Sequence, residues 1–186
     1  MSIRFIKTDG AIEPVSGDAI AMEYSCSVYG QGVNGTQEID AIDPTATGAT
    51  GWGATNGILS FFGEEDHPYS RDPSGMLAGN ETDIIIQRTG LYLVQAKFLW
   101  ESTGDSTMAL RAYMNNSNTG LSTVLLGQAT GVSFNGTLSG VSLSFVHQFY
   151  ETPPYDTLWF RACVDAGSGP ATITDVQAHV RFLAGM

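Results

Sequence analysis

Three histidines, His67, His147 and His179, are the side chains of this 186-residue chain best suited to move a proton near neutral pH. Catalysis would need a nucleophile or carboxylate at a recognisable spacing from one of them. None of the three sits in such a motif or in a metal-ligand spacing. The richest set of oxygen ligands is Glu64, Glu65 and Asp66, followed by His67 and Asp72. Carboxylates in a loop can bind calcium, but this run lacks the alternating ligands and the glycine of a calcium loop. It reads as a solvated acidic loop.

Asn115, Asn116 and Asn118 could hydrogen-bond sugar hydroxyls, yet a tight turn selects the same residue type. Trp52, Tyr69 and Tyr155 are candidate anchors for a partner. Cys26 and Cys163 are too few for a disulfide framework, and both are expected to be reduced and buried. N-x-S/T sites at Asn34, Asn80, Asn115 and Asn135 read as surface turns. No catalytic residue, cofactor or metal is expected; binding or structure remains.

The elements that must carry these residues are short and glycine-punctuated. No stretch holds a helical period, and 22 glycines flank short apolar runs. Strands are expected near residues 82–87, 90–100, 107–114, 123–129, 141–150, 157–164 and 172–183. Between them lie turns such as "RTG", "STGD", "FNGTLSG" and "DAGSGP". Val141, Leu143, Phe145 and Phe149 share one parity. Leu158, Phe160, Ala162 and Val164 oppose Arg161 and Cys163, and Val176, Ala178, Val180 and Phe182 oppose His179 and Arg181. Each reads as a strand with one dry and one wetter face.

The stretch "GLYLVQAKFLW" breaks that rule. Tyr92, Val94, Ala96, Phe98 and Trp100 form a plain core face, but the other parity carries Leu91, Leu93 and Leu99 beside Gln95 and Lys97. Burying a leucine is worth about 1.5–3 kcal/mol, so three wet ones would forgo about 5 kcal/mol, comparable with a whole domain's stability. Another sheet, the N-terminal segment or another subunit is expected to cover them.

The front third differs. "DPTATGATGWGATNG" is almost all small or turn-forming and can bury little area. Residues 2–8 and 19–29 have strand-like content. They are read as an arm that orders against a partner, the alternative being strands of the same sandwich. Residues 1–56 are thus expected to be arm and linker, and 57–186 the folded domain. Lys and Arg total 8 and Asp and Glu 19, a net charge of −11. Such a chain repels nucleic acid and anionic membranes, so neither is an expected partner. "MSIRFIKTDG" does not read as a secretory signal.

The order of elements resembles the tumour necrosis factor-like and complement globular-head jelly rolls over roughly residues 57–186. The matching positions are Gly90–Tyr92 for a "G-x-Y" strand, Leu110–Asn115 for an "L-R-x-x-x-N" strand, Asp156–Leu158 for a "G-D-x-L" strand and Phe182 before the C-terminus. Tyr155 replaces the glycine before the Asp. The resemblance implies an all-β jelly-roll sandwich that forms a compact trimer, with Leu91, Leu93 and Leu99 between subunits. Similar domains occur on bacteriophage virions, as head decoration (cement) proteins and fibre tips. The acidic, Gly/Thr-rich character is closer to that branch.

The expectation is therefore a homotrimer made in the host bacterial cytoplasm. It would bind the major capsid protein on the outer surface of the virion and stabilise the shell. Ile3, Phe5 and Ile6 of the arm would do the docking. The alternative is a receptor- or glycan-binding tip of a tail fibre or spike.

Overall fold

The computed structural model describes residues 4–8, 11–15, 24–30, 37–39, 58–66, 68–102, 104–116, 121–134, 136–150, 156–164 and 171–185. All regular structure among them is β: β1 (Arg4–Thr8), β2 (Ala11–Val15), β3 (Ser25–Gly30), β4 (Gln37–Ile39), β5 (Phe61–Phe62), β6 (Ile84–Ile85), β7 (Gly90–Ser102), β8 (Ser106–Asn116), β9 (Leu121–Ser133), β10 (Ser139–Phe149), β11 (Thr157–Val164) and β12 (Ala171–Ala184).

Two antiparallel sheets make a sandwich. One runs β10-β7-β12-β3-β5, with β4 also paired to β12; the other runs β6-β11-β8-β9. β7 lies at the centre of the first sheet's longest pairings, taking β10 on one side and β12 on the other. Its alternation is the one expected: Tyr92, Val94, Ala96, Phe98 and Trp100 are all buried. They meet Met108, Leu110 and Ala112 of β8 and Leu158, Phe160 and Ala162 of β11 in a single core. Side chains of alternate parity must point out of the sandwich.

The resemblance motifs have physical causes here. A Cβ on Gly90 would collide with the Ala184 carbonyl oxygen and come within 2.6 Å of the Phe182 ring, so only glycine lets β12 cross the start of β7. Tyr92 stacks edge-on with both Phe182 and Phe149, at 5.3 and 5.7 Å, and its hydroxyl donates to the Arg88 carbonyl at 2.9 Å. Buried Asp156 accepts from the Tyr150 backbone N–H at 3.0 Å, tying β10 to the start of β11.

The chain's front third departs from expectation. Ser25–Gly30 was expected to fall within a separate arm, but it pairs with Gln177–Arg181 of β12, and Cys26 and Val28 are buried in the core. Gln37–Ile39 pairs with Ala171–Ile173. Both therefore belong to the sandwich sheet. β3 alternates small residues, Cys26, Val28 and Gly30, so its apolar signal is weak, and its partner is about 150 residues away. β1 and β2 form a two-stranded sheet of their own.

Candidate subunit interface

Pairing assembles the outward face of the six-stranded sheet. β7 contributes Leu91, Leu93, Gln95, Lys97 and Leu99, and β10 sets Gln148, Val146, Ser144, Ser142 and Gly140 opposite them. β12 and β3 extend the face with Gln177, His179 and Arg181 beside Tyr29, Ser27 and Ser25. One end is apolar: Leu91 is 36% exposed, Val146 55% and Leu183 47%, with half-buried Leu93 among them. Leu183 joins this face because Phe182 before it turns into the core.

The three leucines singled out by their parity are not equally wet. Leu99 is half-buried because it lies over Gly140, where a Cβ would come within 2.8 Å of its Cδ2. The exposed apolar area is thus smaller on β7 alone than three bare leucines would give. Val146 and Leu183, which sequence periodicity did not single out, enlarge the patch. Ile3 lies outside the described residues. Phe5 and Ile6 fall on β1, opposite Pro14 and Glu13.

A second surface lies at the sandwich edge. β9 ends one sheet and β10 ends the other, and the two ends lie side by side. A Cβ on Gly131 of β9 would meet Trp100 at 2.7 Å and the Gly140 carbonyl at 3.2 Å. Strands of 13 and 11 residues thus run along one margin. Leu125, Val132, Phe134 and Leu138 are exposed there, Phe134 by 67%. Exposed long edges normally carry Lys, Pro or inward charges that deter pairing. Here, from Ala112 to Tyr150, there is no Asp, Glu, Lys, Arg or Pro, in a chain that is 15% charged. That signal was in the sequence. It acquires meaning only once the topology puts both strands on one edge.

The polar groups of the face centre on His179. It is half-buried, not free surface: its Nδ1 lies 2.6 Å from the Ser27 hydroxyl and its ring stands edge-on to Tyr29 at 6.4 Å. Burial, helped by the Lys97 ammonium, lowers its pKa. His147 points to the core side of β10 and packs edge-on to Phe149 at 4.8 Å. Burial lowers its pKa too, against the pull of Asp156. Asp156 is pushed up by burial, opposed by the Tyr150 N–H and by His147; its Oδ1 meets no hydrogen-bond donor among the described residues. His67 lies outside the described residues.

Other candidates resolve into structure. Asp72 accepts from the Met76 and Leu77 backbone N–H groups, both at 2.7 Å, and Glu64 accepts from the Asp72 N–H, so the acidic loop caps its own backbone. Asn115 accepts from the Trp159 indole at 3.2 Å. Arg161, expected on a wetter face, is only 4% exposed, as is Arg111 opposite it. Trp159 stacks on Tyr113 at 4.5 Å, and the Arg161 guanidinium lies 5.4 Å above the indole, so aromatic rings cover these cations. Cys26 is a buried free thiol whose pKa burial raises, with a further push from Asp72. Tyr69 is exposed and stands 6.0 Å from Tyr29. Trp52 and Tyr155 lie outside the described residues.

The sheet orders and this face can be set against known structures. Eiger, a tumour necrosis factor from S. frugiperda, superposes with a TM-score of 0.56 at 12% identity, over 87% of this chain and 93% of that one. The globular domain of zebrafish complement 1qA protein gives 0.55 at 12%, over 87% and 98%. The fold is the tumour necrosis factor/complement-head jelly roll. Murine APRIL gives 0.51 at 9% identity, over 86% and 98%. At such identities the likeness establishes the jelly roll alone. No protein-family model and no curated protein matches the sequence.

Proposed function

We propose that this jelly-roll chain is a structural, non-catalytic subunit that assembles as a homotrimer and docks on the outer surface of a virus capsid. Assembly would lay the uncharged β9/β10 edge of one copy on the apolar face of the next. The observation that carries this reading is the long exposed edge without a charge or proline between Ala112 and Tyr150, in a chain of net charge −11. Edge and face are different patches, so the contact is heterologous, and a heterologous contact makes a ring when its rotation closes. The sequence resemblance supports a ring of three.

The partner would be the major capsid protein, gripped by the β1–β2 hairpin and the segment before it. The strong negative charge keeps such a protein soluble at high local concentration. The test is co-sedimentation of the purified chain with capsid shells, using the full chain and a form lacking residues 2–20, which spares β3. Binding that needs residues 2–20 supports docking through the hairpin, whereas undiminished binding of the shortened chain refutes it. A receptor-binding tip is the second reading. One observation favours it: the exposed Phe134 turn lies at the opposite end of the sandwich from Ser25, where the N-terminal segment joins. Binding to host cells without binding to shells would select that reading.

A further inference from the structure

The face of the proposed interface holds an ionisable group that pairs with no carboxylate among the described residues. His179 sits on β12, mid-sheet, with Ser27 of β3 on one side and Gln95 of β7 on the other. The charged groups nearest it on the same face are cations, and the carboxylate of Asp175 there is taken up by Lys97 and by the Gln177 amide. Lys97 lies diagonally on β7, and Arg181 lies two residues along β12. Beyond Ser27, which bonds its backbone to Arg71, lies a third basic residue. The nearest carboxylate on its own strand is Asp175, which is 3.9 Å from the Lys97 ammonium. Tyr29 and Ser25 complete the surroundings from β3, and Gln177 from β12; none carries a carboxylate.

We propose that His179 makes the assembly acid-labile: covering this face with a neighbour's β9/β10 edge leaves a protonated His179 without an anion to pair with, so acid drives the subunits apart. The inference rests on the edge-on-face reading above. The neighbour's edge brings no carboxylate, because Ala112 to Tyr150 contains none. Its only titratable base is His147, which faces its own core. An isolated subunit lets water solvate the imidazolium; the assembled one does not. Protons therefore bind the separated subunit better, and dissociation is linked to proton uptake.

The sign is that of a histidine whose pKa falls on burial. The reference is the free subunit's His179, which burial and then Lys97 already hold below the ordinary histidine value of about 6.5; the stabilising contribution is full above that subunit value and is lost as pH falls below it. The apparent dissociation constant rises by up to about tenfold per subunit for each pH unit below that point.

The experiment is sedimentation velocity of the full chain from about pH 8 to about pH 5.5, with far-UV circular dichroism on the same samples. His179→Gln, which keeps an amide beside Ser27, and His147→Gln are run in parallel. The expected result is a trimer at the alkaline end and folded monomer at the acid end for the wild type and His147→Gln, with His179→Gln staying trimeric throughout. A wild-type trimer that persists at the acid end overturns the inference and leaves the assembly reading standing. So does dissociation of His179→Gln at the same pH as the wild type, or dissociation only with loss of the β signal. A monomer at the alkaline end overturns both.

Discussion

Val146→Asp separates folding from assembly most sharply. Val146 is 55% exposed in the single subunit, on the outer side of β10 opposite Leu93. In the isolated chain the change costs the strand preference for a β-branched residue, about 1 kcal/mol. In the assembly it costs more. Roughly half of the side chain's burial is still to be gained, about 1 kcal/mol per subunit. An unpaired carboxylate pressed against an uncharged edge adds about 3 kcal/mol. Together that is about 4 kcal/mol per interface and about 12 for a ring of three, or roughly eight orders of magnitude in the dissociation constant. The assay is size-exclusion chromatography with light scattering at micromolar concentration, with circular dichroism as the folding control. Val146→Asp should be a folded monomer, and Val146→Thr, which keeps the branch, should remain assembled. An assembled Val146→Asp would refute the argument, because no covered face could absorb three such charges.

Two further outcomes concern the subunit itself. Asp156→Asn should raise thermal stability at neutral pH. A carboxyl whose pKa burial raises destabilises the fold as pH climbs above its unfolded value of about 3.9, and the amide removes that slope; melting curves across pH check both. Gly90→Ala should cost several kcal/mol and be visible in urea titration, because the new methyl meets the Ala184 backbone and the Phe182 ring, neither of which is a flexible side-chain end.

The long strands were legible because their residues obey one period. β7 and β10 alternate along their length and β12 from Val176 to Phe182, beyond a bulge at Thr174–Gln177 that shifts its parity, and glycine or proline closes each run. β3 was not legible as a sandwich strand. Its buried positions are Cys26, Val28 and Gly30, and only β12 supplies the pairing that selects them. Arg161 and His179 misled for a related reason. Polar residues at alternate positions read as wet, but a neighbouring Trp159 or a Ser27 hydroxyl can cover or satisfy them, and neither contact is local in sequence. The parity of Leu91, Leu93 and Leu99 was readable from the start. How much each leucine is shielded depended on Gly140, on a strand that pairs only in the fold.

The proposed trimer needs one copy's uncharged edge to cover the next copy's apolar face. Sedimentation equilibrium of the wild-type chain in dilute solution near pH 8 tests it most directly, since the subunit mass is 19.8 kDa. The expected result is a single species of three times that mass. A stable species at the subunit mass would contradict it.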